Sequence, residues 1–128
     1  MHRRPVIYIA GPYANPDPVE NTNSAVRVGL AIRDRFNVGV VIPHTTLLAH
    51  AISPRPAAYW YEFDLDVLAV CDALVRIPGP STGSDREVEG AHERQIPCFL
   101  LTDDGARMLL FGGGPSALDE FIRTVELR

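Results

Sequence analysis

Four stretches of the chain, PVIYIA (5–10), VGVVI (38–42), ALVRI (73–77) and PCFLL (97–101), are apolar almost without interruption. A strand with one wet face alternates apolar and polar residues, whereas a strand covered on both faces stays apolar throughout. These runs therefore predict strands of a sheet buried on both sides. Between them lie longer segments of helical spacing: 19–36, a 57–72 region, and 84–95, with a last helix expected over 115–127 behind Pro115 and Ser116. The segment ARMLLF (106–111) fits either a fifth strand or part of a helix. Strand and helix in alternation require crossover connections, hence an α/β fold with a parallel sheet of four or five strands and helices on both faces.

In such a sheet ligands bind beyond the carboxyl ends of the strands, where the strand order reverses. That rule selects Gly11-Pro12-Tyr13, Pro43-His44, the 78–87 loop and Thr102-Asp103. The third contains both punctuation and charge: Pro78, Gly79, Pro80 and Gly83 break regular structure, Asp85 opens a helical run, and Glu87 falls in its first turn. Two readings of Glu87 stand side by side. It completes a helix cap with Ser84 in the pattern S-x-x-E, or it is a carboxylate at the mouth of a pocket. Ser81, Thr82, Gly83 and Ser84 ahead of a helix N-terminus suit an anion such as phosphate, and they are also ordinary loop residues.

The helix over 57–71 contains one misplaced charge. At about 100° per residue from Trp60, the residues Phe63, Val67, Val70, Cys71, Leu68, Tyr61 and Leu65 form one apolar arc. Glu62 and Asp66 fall opposite it, but Asp64 falls inside it, between Cys71 and Leu68. A carboxylate there must be paired, hydrogen-bonded or protonated, because an isolated buried charge costs too much. It is either a cap for a loop backbone or an acid of raised pKa facing the pocket. Tyr8 places a polar tip in the first strand, where a hydroxyl needs a partner. His44 is a loop or pocket residue, and His50 and His92 read as surface histidines.

The bulk numbers narrow the class. At 128 residues the chain is expected to be one domain, 1–128, with a real core, and 46% apolar with 22% charged residues is ordinary for a soluble globular protein. A net charge of −4 with scattered basic residues gives no footprint for a nucleic acid polymer. No apolar run approaches the roughly 18 residues of a membrane span, and the apolar stretch after Arg3 and Arg4 is too short for a signal peptide. A cytoplasmic protein without a membrane partner is expected. Cys71 and Cys98 have no metal-ligand spacing and sit among apolar residues, so they read as small hydrophobes. No His/Asp/Glu cluster has metal spacing, so neither a metal nor another cofactor is expected, and no nucleophile elbow for serine catalysis is present.

Taken in order, IYIAGPY at the first strand, VVIPH at the second, DLDVLAVCDALVRIPG leading into the third, and the spacing of Ser81, Gly83, Glu87 and Ala91 resemble the nucleoside 2-deoxyribosyltransferase-like superfamily. That group includes nucleoside deoxyribosyltransferases and nucleoside 5′-monophosphate N-glycosidases, and the resemblance runs over roughly residues 5–102. It implies a flavodoxin-like three-layer sandwich. It implies that Glu87 is the nucleophile attacking C1′ of the sugar, that Asp64 engages the departing base, and that Tyr8 orients the nucleophile. It implies a close backbone approach to the sugar at Gly11, with Pro12, His44, Ser81, Gly83 and Ser84 around the substrate. Ser81 stands where the transferases carry a carboxylate for the 5′-hydroxyl and the monophosphate hydrolases a serine for phosphate, so a 5′-phosphate is expected. Tyr13, Ala14 and Asn15 stand where some of the hydrolases carry an arginine, and Arg86 is the candidate replacement. Tyr59, Trp60 and Tyr61 are candidates for stacking on a base, with core packing the alternative for Trp60.

The expectation is therefore an N-glycosidase acting on a nucleoside 5′-monophosphate, a small-molecule substrate. Base exchange between deoxyribonucleosides is the alternative within enzymes, and a non-catalytic nucleotide-binding module the alternative outside them. Relatives complete their pockets across a dimer interface, so a homodimer or larger assembly is expected.

Overall fold

The computed structural model describes residues 3–104 together with Leu118 and Glu120. Strands β1 (Val6–Ala10), β2 (Gly39–Val41), β3 (Ala73–Arg76) and β4 (Cys98–Leu100) coincide with the four apolar runs. All pair in parallel, in the order β2-β1-β3-β4. Helices α1 (Pro18–Phe36), α2 (Leu47–Ile52), α3 (Ala57–Leu68) and α4 (Thr82–Glu93) connect them, with a 3₁₀ turn at Pro43–Thr46 ahead of α2. The proposed strand or helix over 106–111 lies outside the described residues, as does the helix over 115–127 apart from Leu118 and Glu120, which are helical.

Alternation along β1 divides the core in two, because successive side chains leave opposite faces of a strand. Ile7 and Ile9 join Ala25, Val28 and Ile32 of α1, Val75 of β3, and Leu118 on one face. Tyr8 and Ala10 join Leu68 and Cys71 from the end of α3, and Ala91 of α4, on the other. The result is the expected three layers. Each fully buried Ile, Leu or Val contributes roughly 1.5–3 kcal/mol by leaving water. Helix α1 starts where Asp17 accepts a hydrogen bond from the Val19 amide and Pro18 presets the first turn, and it ends at Asn37 in the left-handed region.

Helix α3 departs from the arc drawn for it. Leu68 is fully buried, but Phe63 is 44% and Val70 72% exposed. The helix touches the second core only through its last turns. Ahead of those turns it meets α2 through Trp60 on His50, and α4, where Leu65 packs so closely on Gly90 that an added Cβ would lie 3.0 Å from Leu65 Cδ2. One flank of the apolar arc is thus left facing outward.

The strand order places the site. Chain segments leave β1 toward β2 on one side and enter β3 on the other, so a crevice opens above the carboxyl ends of β1 and β3. Gly11 and Pro12 border it from β1 and the 78–87 loop from β3. Gly79, at φ 125°, turns that loop against Pro12, where a Cβ would meet Pro12 Cγ at 2.8 Å.

Candidate active site

Helix α4 begins earlier than Asp85. Ser81 is its N-cap, with Oγ accepting from the Ser84 amide at 3.1 Å, and Thr82 is its first residue. Glu87 is consequently in the second turn, not the first, and takes no part in the cap. The S-x-x-E reading is overturned because the hydroxyl loop caps the helix one turn sooner.

Glu87 is instead buried against the sheet, and the Tyr8 hydroxyl donates a hydrogen bond to its Oε2. Burial pushes the Glu87 carboxyl up to about 7; the nearby Asp64 adds to that rise, while the Tyr8 hydrogen bond and the Arg76 charge oppose it. Burial, together with the Glu87 charge, raises the Tyr8 phenol, so it remains a protonated donor. Arg76, at the end of β3, also ties Gly79 O at 2.9 Å and the Asp85 carboxylate at 3.1 Å, bracing the loop against the start of α4.

A cavity of about 400 Å³ opens over this pair, within the range of small-molecule sites. Asp64 enters it from α3, half-buried, with burial lifting its carboxyl to about 7. Of the residues expected at the site, Gly11, His44, Asp64, Ser81, Gly83, Ser84 and Glu87 line this cavity. Tyr8 stands behind Glu87 rather than on the wall. Pro12 is displaced: it faces a second cavity, of about 440 Å³, on the α1 side, which shares Gly11 and His44 with the first.

Two buried polar atoms at the first cavity have no partner among the described residues: Ser84 Oγ and His44 Nδ1. His44 Nε2 lies 2.8 Å from the Pro12 carbonyl, which can only accept, so Nε2 has the proton and Nδ1 is an acceptor. Burial lowers the pKa of this imidazole and keeps it neutral. Unsatisfied buried groups in a cavity are places where a ligand's hydrogen bonds fit.

Two lining residues escaped the sequence pattern: His50, expected at the surface, and Arg55. Tyr13, Trp60 and Tyr61, which the sequence singled out, line the cavity beside them. Trp60 donates from Nε1 to His50 Nδ1 at 2.8 Å and is not a core residue. Its spacing of four from Asp64, which puts both on one face of α3, agrees with the stacking candidate over the core alternative. Arg86 does not replace the missing arginine: it is exposed and stacks over the Tyr61 ring at 5.6 Å, outside the cavity. Cys71 and Cys98 are free and bond only to nearby backbone carbonyls. Among the described residues no group of three or more His, Cys, Asp or Glu side chains is arranged for a metal ion, and no helix is long and apolar enough to cross a membrane.

No protein-family model and no curated protein matches the sequence. Among solved structures, a 2-deoxyribosyltransferase from Bacillus psychrosaccharolyticus is similar, with a TM-score of 0.54 and 22% identity over 74% of this chain and 70% of that one. The strand order, the layers and this likeness agree: the chain has a nucleoside deoxyribosyltransferase-like fold.

Proposed function

We propose that the protein is a glycosyl-transfer enzyme of the cytoplasm that hydrolyses the base–sugar bond of a nucleoside 5′-monophosphate. The observation that carries this reading is the buried Glu87 carboxyl, held by Tyr8, in one cavity with the Asp64 carboxyl. The ionised Glu87 attacks C1′ as the C1′–N bond breaks, and protonated Asp64 delivers its proton to the departing base. Water then attacks C1′ of the glycosyl ester, Asp64 takes its proton, and Glu87 leaves as carboxylate. Two carboxyls lifted to about 7 suit a pair in which one must be charged and the other neutral. Ser81 and Ser84, at the start of α4, have hydroxyl protons to offer a 5′-phosphate, and no carboxylate stands at position 81 to repel it.

A second reading, transfer of deoxyribose from one base to another, is favoured by the activity named for the similar structure. Both are tested by chromatography of nucleosides and 5′-monophosphates incubated with the protein, with and without an added free base, beside Glu87→Ala. Base freed from monophosphates alone supports the hydrolase, and product formed only when a second base is present supports the transferase. Binding without any base release by the wild-type chain would leave a nucleotide-binding module.

The assembly we propose is a homodimer. In its support, Tyr59 and Phe63 leave 46% and 44% of their surface exposed at α3, beside the cavity residue Trp60.

A further inference from the structure

The segment joining β2 to α3 builds one wall of the cavity, and its hydrogen bonds fix which polar groups a ligand meets there. Trp60 Nε1 is a donor only, and it reaches His50 Nδ1 at 2.8 Å; the Arg55 amide approaches the same nitrogen at 3.3 Å. His50 Nδ1 is therefore an acceptor already engaged. The ring proton is on Nε2, which has no hydrogen-bond partner among the described residues. Arg55 spends Nη1 on the Ser53 and Pro54 carbonyls and lays its guanidinium over Tyr59 at 5.4 Å, leaving Nε and Nη2 as donors. Both residues line the cavity. This wall thus offers the ligand donors and no acceptor from His50 or Arg55.

Its place on the base follows from α3. Trp60 lies four residues before Asp64 on one helix face, a separation of about 5–6 Å between Cβ atoms, comparable to the width of a base ring. With Asp64 at the leaving nitrogen, the Trp60–His50 pair reaches the edge far from the sugar. Resting on the glycosyl-transfer reading above, we infer that His50 and Arg55 select bases with an oxo group at that edge: 6-oxopurines and 4-oxopyrimidines. Adenine and cytosine present an amino donor at that position, which would face a donor and leave that hydrogen bond unmade.

The test compares pairs that differ at that group and in whether the neighbouring ring nitrogen carries a proton: inosine 5′-monophosphate against adenosine 5′-monophosphate, and uridine 5′-monophosphate against cytidine 5′-monophosphate, each with its 2′-deoxy counterpart. Base release is read by chromatography, and binding to the same wild-type chain by calorimetry. The oxo member is expected to lead by about 10²-fold or more in kcat/KM, as sites built to pair with a polar group reject its opposite. Trp60→Phe keeps a ring but removes the indole N–H, leaving the longer 3.3 Å contact from the Arg55 amide as the remaining hold on the His50 tautomer, so Nε2 gains access to the acceptor form and the preference should shrink. His50→Phe should also lower it. Equal or reversed preference in the wild-type chain would overturn the inference and leave the hydrolase reading intact. Absence of base release from every compound would sink that reading instead, and calorimetry would then decide the preference; failure to bind any of them would overturn both.

Discussion

The Tyr8 hydroxyl donates to Glu87 across 79 residues of sequence, from the middle of β1 to the second turn of α4, with both side chains buried. This contact decides that Glu87 belongs to the cavity and not to the helix end. Because it stabilises the charged carboxyl, Tyr8→Phe should raise the Glu87 pKa further above about 7. The acid limb of the pH–rate profile is then expected to move to higher pH, with kcat/KM at neutral pH lower by about 10–100-fold, the worth of one hydrogen bond to a charged group.

In the proposed mechanism the two carboxyls set the pH range of activity. Both are lifted to about 7 by burial, so turnover should fall on the acid side as Glu87 protonates and on the alkaline side as Asp64 ionises. Asp64→Asn should cut kcat by about 10²–10⁴-fold and remove the alkaline limb while keeping the acid one. A pH series on both proteins checks this, and an unchanged alkaline limb in the variant would exclude Asp64 as the acid.

Folding stability should show the same burial with the opposite consequence. The Glu87 carboxyl binds its proton more tightly in the folded chain, about 7, than at its ordinary value of 4.5. Between those values the native state holds more protons than the unfolded one, so stability falls as pH rises through that window. The loss is on the order of 3 kcal/mol. Glu87→Gln should remove the Glu87 share of this dependence, leaving that of Asp64, and be more stable than wild type at pH 8, measured by denaturant titration at pH 5 and 8, while losing turnover.

Ser81 and Ser84 should separate by stability. Ser81→Ala removes the α4 cap and is expected to cost about 1 kcal/mol. Ser84 Oγ has no partner among the described residues, so Ser84→Ala should be neutral or slightly stabilising. Both should raise KM for a 5′-monophosphate more than for the matching nucleoside.

Sedimentation at micromolar concentration checks the proposed homodimer. A monomer alone would remove it, whereas Phe63→Glu should convert a dimer to monomer without unfolding the chain.

The sequence by itself determined the layers of this protein and singled out two of its carboxylates. Nearly unbroken apolar runs identified the four strands, since a strand covered on both faces has few positions for a polar residue. Asp64 stood out because a charge within an apolar arc conflicts with its neighbours. These signals are local, written within one or two turns of chain. The tertiary structure decided the rest. Glu87 could be a cap or a pocket carboxylate until the start of α4 at Thr82 and its bond to Tyr8 put it at the cavity. His50 read as a surface residue, and Trp60 as either a stacking or a core residue, until the path from β2 to α3 brought both to the cavity. Phe63 and Val70 read as buried until α3 met the sheet only with its last turns. Periodicity reports which face of an element is apolar. What that face meets depends on strand order and crossover path, which pair groups distant in sequence and leave no periodic trace.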